Sequence, residues 1–341
     1  MKLLTEAKTL ISENIRDYGM YIALLFIILT FTFLTDGLFL SSRNISNLLD
    51  SAGYIAVLAV GVMLVIVIRH IDLSIGYLAG FLGAIAAILL MRMELSVYLT
   101  IPMILLLGTV FGLITGFLVA QIGIPAFVAT LAGMLIFRGA LLLVTEKTGT
   151  IIVQDDAFNA IGNGFIPSII EVNGLHLLTL IVGAAGILFY IYGAVSMRRN
   201  KINYQFEVIS KPIFVMQLVF VSAIIAYITW ILAGYRGFSW TMVIMLAVVA
   251  VYHFFTTKTV LGRHIYAVGS NPEAAHLSGI NVKKITFIVF GSMAMLAALS
   301  GILFTSRLQS ATTTAGTSQR GFLFGQHAYP EHGHRIPVST P

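Results

Sequence analysis

Long apolar stretches dominate this sequence, so lipid is the solvent for most of the chain. A helix needs about 20 consecutive, mainly apolar residues to cross a bilayer. The third apolar stretch is short and glycine-rich and the fifth begins at Pro125, so either of them could be a broken or re-entrant helix. The pattern predicts an all-α, polytopic transmembrane helical bundle with nine spans, at 18–35, 51–69, 75–91, 98–120, 125–145, 177–197, 213–233, 238–256 and 286–304.

Charged residues are scarce, which excludes an ordinary soluble fold. Only 10% of the 341 residues are charged, against about 25% in soluble domains. The net charge of +6 comes from basic residues in short loops between apolar runs, which is a membrane pattern and not a nucleic-acid-binding face. The chain has no cysteine, so disulfides, thiolate catalysis and cysteine metal sites are excluded. We therefore expect membrane lipid, and no nucleic acid, as a partner.

Loop charges predict the orientation of the spans. Loops 198–212 and 257–285 are rich in lysine and arginine, whereas 146–176 carries four acidic residues against a single lysine. Because basic loops stay in the cytoplasm, the first two should be inside and the third outside. Nine spans satisfy all three assignments if the polar segment 1–17 is cytoplasmic and the first span is retained rather than cleaved. The prediction is a multi-pass protein of the plasma membrane.

Three glycines in the fourth stretch recur at intervals of four residues. Gly108, Gly112 and Gly116 share one helix face at this spacing. A face of small residues lets a neighbouring helix approach closely. The stripe therefore predicts tight packing of the fourth span against another helix.

The loop 257–285 contains the start and stop signals of a short helix. Asn271 is a good N-cap, and the proline after it suits the first helical position. Gly279 stands where a left-handed C-terminal residue is wanted. The prediction is a helix of about two turns over 272–278, which is too short to be stable alone in water. Either a partner protein holds it, or it is a capped loop helix on the membrane surface.

This loop resembles the coupling loop of permeases of the ribose/xylose type, the monosaccharide branch of bacterial ABC importers. The chain departs from the family at His276, where the family usually has arginine. Further matches occur at 44–47, 71–76, 125–139 and 307–311, and the resemblance extends from about residue 36 to 316. The resemblance assigns Glu273 to the coupling loop together with the matching residues Gly262, Arg263, Ala267, Gly269, Asn271, Ala274, Ala275, Ser278, Gly279 and Ile280.

The resemblance implies a permease subunit of an ABC importer in the bacterial inner membrane, with a xylose-like pentose or a related hexose as cargo. It implies an ABC ATPase subunit as a partner, an extracytoplasmic sugar-binding protein, and a second permease copy that completes a homodimer. We expect no enzyme activity and no directly bound cofactor, because ATP is used by the partner. The chain indeed lacks the Gly-x4-Gly-Lys-Ser/Thr run of phosphate-binding loops.

The turn between the second and third spans is a candidate part of the translocation path. Asp72 lies there with Ser74 and Gly76, in a run that resembles a family signature. The alternative is that Asp72 pairs with Arg69 and caps the third span. Ser74 is a second candidate for that cap.

The fifth span supplies the other path candidates. Arg138 lies inside it, and an unpaired charge there costs about 2.5–3.5 kcal/mol, so it must face a cavity or find a partner. We favour an ion pair or a carbonyl contact over a direct sugar contact. Phe127 and Thr130 could line a sugar path, since sugars need hydroxyl partners and a flat apolar face; ordinary packing is the alternative.

Two further interpretations remain open. A stand-alone secondary transporter or channel needs acidic residues within its spans, and apart from Asp72 these are almost lacking; a membrane enzyme lacks any motif.

The permease domain 18–316 is followed by an atypical tail, 317–341, where the resemblance stops and relatives continue with further spans. The tail is expected to be disordered and to result from a frameshift or truncation near Thr317, with a natural divergent terminus as the alternative. The corresponding alternative function is a non-functional truncated permease.

Overall fold

The computed structural model describes residues 15–145, 149–168, 171–172, 175–206 and 208–316. Residues 1–14 of the predicted N-terminal segment and the whole predicted tail 317–341 lie outside this range. The helices of the described part are α1 (Ile15–Leu34), α2 (Ser42–Val67), α3 (Ile75–Met91), α4 (Val97–Phe117), α5 (Ala126–Thr145), α6 (Asp156–Asn163), α7 (Leu177–Asn203), α8 (Lys211–Ala233), α9 (Trp240–Lys258), α10 (Val260–Ser270), α11 (Pro272–Leu277) and α12 (Val282–Leu308).

Short elements complete the description. A 3₁₀ turn spans Leu38–Leu40, and a π-helical turn, Leu118–Ile122, extends α4. The short strands are β1 (Thr150–Ile152), β2 (Glu171–Val172), β3 (Leu175–His176) and β4 (Ser310–Thr312). They form two antiparallel pairs, β1 with β4 and β2 with β3.

The all-α membrane architecture is confirmed. Seven described helices are long and apolar enough to cross a membrane, namely α2, α4 with its extension, α5, α7, α8, α9 and α12. The third predicted span is the shorter helix α3, with 17 residues, and the first coincides with α1. Neither α3 nor α5 is broken, so the alternative of a broken helix is wrong at these two places, while that of a re-entrant segment stays a prediction.

Several span boundaries need correction. Helix α2 begins at Ser42 rather than at 51, α7 continues to Asn203 rather than ending at 197, and α12 spans Val282–Leu308 rather than 286–304. Polar residues such as Ser46 and Asp50 were excluded from the span because apolar length alone defined it, yet they are compatible with a helix end beyond the hydrocarbon. Asp50 and Arg307 therefore lie inside helices.

The chain divides into two compact units, the first built from residues 1–49 and 166–238 and the second from 50–165 and 239–341. In the first unit, α7 and α8 pack along each other. Gly183 of α7 abuts Thr229 of α8, so a larger residue would not fit there. The Arg198 guanidinium lies 4.6 Å from the centroid of the Phe214 ring and donates to the Ile209 carbonyl at 2.7 Å.

Helix α12 forms the centre of the second unit, since 72% of its 18-residue apolar segment is buried. The glycine stripe of α4 faces it. A Cβ placed on Gly108 would lie 2.7 Å from the Ala298 Cβ, and one on Gly112 would lie 2.5 Å from the Ala294 Cβ. These separations are shorter than van der Waals contact, so the predicted close packing of the fourth span is confirmed and its partner is α12.

The two ends of α12 carry different structures. At its C-terminal end, β1 pairs with β4, and the Asn163 side chain at the end of α6 donates to the Ser306 carbonyl at 2.8 Å. Helices α10 and α11 precede its N-terminal end. Since 27 helical residues span about 40 Å, loop 257–285 and segment 150–163 lie at opposite ends of this unit. The loop charges require the same separation.

Candidate functional site

Loop 257–285 is held in a fixed shape from its first residue. The Thr259 hydroxyl accepts from the Gly262 amide at 3.1 Å and so caps α10. A Cβ on Gly262 would collide with the Thr256 carbonyl, so glycine permits the sharp turn from α9 into α10. Ile265 is buried, whereas Arg263 remains exposed. The polar side of α10 is therefore available for a partner.

The predicted short helix is α11, which ends at Leu277, one residue before its expected end. The Asn271 side chain accepts from the amides of Glu273 and Ala274, both at 3.0 Å. At the other end, Gly279 has φ +84°, and the Ile280 amide donates to the Ala275 carbonyl at 3.0 Å. These bonds satisfy both ends of α11 by local contacts.

The outer side of α11 presents a mixed polar and apolar surface. Ala275 packs inward, whereas Glu273, Ala274 and His276 are exposed. Leu277 is 83% exposed, so an apolar side chain is available to a partner there. Leu277 is not among the predicted site residues. The sequence contains no signal for it, because the burial of Ala275 on the opposite side of the helix is seen only in the structure.

Arg69 contacts the loop and not Asp72, so the alternative of an Arg69–Asp72 pair is wrong. Its guanidinium donates to the carbonyls of Gly269 at 2.6 Å and Ser270 at 2.5 Å, which are the last two residues of α10. A positively charged group at a helix C-terminus is favourable because the terminal carbonyls lack helical partners. The turn after α2 is thus joined to loop 257–285.

Asp72 is buried and caps α3. Its Oδ1 accepts from both the amide and the hydroxyl of Ser74, each at 2.7 Å. Ser74 itself makes no side-chain cap bond, so the cap comes from Asp72. The Asp72 Oδ2 has no hydrogen-bond partner among the described residues. The Thr130 hydroxyl of α5 donates to the Ile71 carbonyl at 3.3 Å. The turn therefore brings Asp72, Ser74 and Thr130 together beside the buried Gly76.

Phe127 and Arg138 lie on an open side of α5. Phe127 is 56% exposed. Arg138 is also exposed, and its guanidinium lies 6.0 Å from the centroid of the Tyr77 ring. This cation–π geometry replaces the expected ion pair or carbonyl contact, neither of which occurs between Arg138 and the described residues. At 1.5 Å per residue, Arg138 stands about 12 Å along α5 from Thr130, so it does not join the Asp72 turn.

A polar cluster that the sequence analysis missed lies at the other end of the second unit. The buried Asp50 carboxylate accepts from the Ser239 hydroxyl and lies 3.6 Å from the Arg307 guanidinium. Arg307 also donates to the Asn163 side chain at 3.0 Å. These contacts join α2 to the ends of α6, α9 and α12. They also correct the expectation that the spans contain almost no acidic residue besides Asp72.

The described part of the chain contains no group of three or more His, Asp or Glu side chains suited to a metal ion. Its polar clusters instead include helix caps, carbonyl contacts and the Asp50–Arg307 ion pair. What they can do chemically is hold helix ends together or release them.

The residues that match a known protein family include both the Asp72 turn and loop 257–285. The family described as the permease component of branched-chain amino acid transport systems matches residues 44–325. The xylose transport system permease protein XylH of Escherichia coli (strain K12) is 35% identical over 307 residues, which are 89% of this chain and 75% of that protein. The ribose import permease protein RbsC of Haemophilus influenzae is 33% identical over 301 residues, 87% and 71% of the two chains. No solved structure matched.

Proposed function

Since this chain belongs to the permease family of ABC importers, we propose that it carries a monosaccharide, a xylose-like pentose or a related hexose, across the bacterial inner membrane. The observation that supports this cargo is the 35% identity to a xylose permease over 75% of that protein's length. The family description refers to branched-chain amino acids, so leucine is the competing cargo that an experiment must exclude.

An ABC ATPase would bind the exposed side of α11. This helix is fixed at both ends by its own caps and presents Leu277 to solvent. ATP binding and hydrolysis on the partner would move α10 and α11 and switch the permease between its facing states. The permease chain itself makes no covalent chemistry and binds no cofactor in this proposal.

The loop charges and the fold together support one orientation. Loop 257–285 is basic and lies at the opposite end of α12 from segment 150–163. With the basic end in the cytoplasm, the N-terminus is cytoplasmic and β1, β4 and α6 face outward. An extracytoplasmic sugar-binding protein would deliver its cargo at that outer end.

A second permease copy would cover the open side of α5. Arg138 is exposed there between apolar neighbours such as Leu135 and Leu142. Facing lipid, this charge costs about 2.5–3.5 kcal/mol; facing a water-filled path between two copies, it does not. Phe127 and Arg138 would then line the path, with Asp72, Ser74, Gly76 and Thr130 at its inner end.

Reconstituted transport tests the proposal. The permease, its ATPase and its sugar-binding protein are placed in liposomes, and uptake of labelled xylose, ribose and leucine is measured. Xylose or ribose uptake should require ATP and stop with vanadate. Uptake that instead stops with an ionophore would identify a secondary transporter, and leucine uptake without sugar uptake would overturn the cargo assignment.

A further inference from the structure

The turn after α2 forms two charge-assisted contacts with the coupling loop. The Arg69 guanidinium donates to Gly269 O at 2.6 Å and to Ser270 O at 2.5 Å. These carbonyls end α10, and the next residue, Asn271, caps α11. One side chain therefore fixes the junction between the two helices of the coupling loop to the end of α2.

The backbone at this junction is also in close contact. A Cβ added to Gly269 would collide with the Val67 carbonyl at the end of α2, so the two chains touch where only glycine fits. Arg69 has φ +63°, in the left-handed region that non-glycine residues seldom adopt. This conformation directs the chain from the α2 end into the turn, while its side chain reaches α10. Sliding of α10 along α2 is opposed by both features.

The same turn continues directly into α3 and also contacts α5, the two helices that carry the proposed path residues. Three residues after Arg69, Asp72 caps α3 through the Ser74 amide at 2.7 Å. Between them, the Ile71 carbonyl accepts from Thr130 of α5 at 3.3 Å. Residues 69–72 are thus bonded at one end to the coupling loop and at the other to α3 and α5.

We propose that Arg69 is a positioning residue that transmits displacement of the coupling loop to α3 and α5. The inference rests on the proposed function, because it assumes that an ATPase moves α10 and α11. When the α10–α11 junction moves, Arg69 carries the turn with it, and Asp72 and Thr130 carry the starts of α3 and α5. Without Arg69, the ATPase can move the loop while the path helices stay behind.

The number of sugar molecules imported per ATP hydrolysed tests this role. In liposomes with the ATPase and the sugar-binding protein, Arg69→Gln should lower this ratio about tenfold, since two bonds to a charged donor are lost. Sugar-stimulated ATP hydrolysis should continue. Arg43→Gln, an exposed arginine near the other end of α2, should keep the wild-type ratio.

An unchanged ratio in Arg69→Gln would overturn the inference. If import and hydrolysis both stay at their wild-type rates, Arg69 has no role in transport; if both fall in equal proportion, Arg69 only maintains the ATPase docking site. If Arg69→Gln does not assemble, Arg69→Lys supplies the test. Its ammonium can keep one of the two carbonyl contacts, so an intermediate ratio is expected and a wild-type ratio contradicts the inference. Absence of ATP-driven uptake by the wild-type complex, in contrast, refutes the proposed function itself.

Discussion

Single residues fix the turn between α2 and α3, and Asp72 does so through one carboxylate oxygen. Its Oδ1 accepts from the Ser74 amide and hydroxyl, whereas Oδ2 has no partner among the described residues. An asparagine oxygen can replace Oδ1, but no atom of alanine can. The two substitutions therefore separate the cap from the charge.

Asp72→Ala should lower the free energy of unfolding by about 1–3 kcal/mol, because the buried Ser74 amide loses its acceptor. Asp72→Asn should destabilise less than Asp72→Ala, since its amide oxygen can still accept from Ser74, although its amide nitrogen takes the place of Oδ2, which has no partner among the described residues. Thermal unfolding of the purified protein in detergent measures both. Equal destabilisation by the two changes would show that the negative charge, and not the cap, holds the turn.

The sequence allowed the caps to be predicted but not the long-range partners. Asn271 and Gly279 act on residues within a few positions of themselves, so local chemistry identified both ends of α11. Arg69 bonds residues 200 and 201 positions away, and nothing in its neighbourhood indicates this. Asp72 is the nearest opposite charge to Arg69 in the sequence, which is why a pair between them was predicted. In the structure, Arg69 bonds to Gly269 and Ser270 instead.

At the scale of helices, glycines determine how closely α4 and α12 approach. Gly112→Ala should destabilise the protein by about 1–3 kcal/mol through overpacking, because the new Cβ would meet Ala294 and the Phe290 carbonyl. Gly186→Ala is the matched control on α7, where no atom lies within 4 Å of the added Cβ. It should be neutral or stabilising by up to about 1 kcal/mol. Comparable unfolding temperatures for the two variants would contradict the close packing.

Helix α11 should bind the ATPase through Leu277. Burying a leucine side chain contributes about 1.5–3 kcal/mol, so Leu277→Ala should weaken ATPase binding about tenfold or more. Titration of detergent-solubilised permease with the ATPase subunit measures the Kd. Leu308→Ala, another exposed leucine near the opposite end of the second unit, should leave the Kd unchanged. An unaltered Kd in Leu277→Ala would place the docking surface elsewhere.

For the whole molecule, the all-α membrane architecture and the separation of loop 257–285 from segment 150–163 followed from apolar length and loop charge. Both are properties of long segments and survive errors of a few residues at each boundary. The division into two units did not follow, because it depends on contacts between distant segments. The Asp50–Arg307 cluster was missed for a related reason: polar residues at helix ends fall outside any window defined by apolar content.

The effect of replacing Arg138 indicates whether this face of α5 meets lipid or a polar path in the assembled protein. If this face meets lipid, Arg138→Leu should stabilise the protein by about 2.5–3.5 kcal/mol. We expect no such gain, and loss of sugar uptake, because in the proposed assembly this face borders a second copy and a polar path. The reverse change on α7, Leu188→Arg, where the leucine is 68% exposed, should destabilise by about the insertion cost. A large gain in Arg138→Leu would place α5 against lipid.

The caps of α11 have a consequence for the rate of assembly. The backbone groups at both ends of this helix already have hydrogen-bond partners within the permease, namely the Asn271 side chain at its start and the Ser278 and Ile280 amides at its end, beside Gly279. Its backbone is therefore ordered before any ATPase arrives. Ordering a backbone residue costs roughly 1–2 kcal/mol of conformational entropy, and this cost does not recur on association. Preorganised surfaces also avoid the slow folding step that lowers association rates. Subunit exchange on this permease should accordingly be limited by how long the ATPase stays bound, and not by the formation of its docking helix.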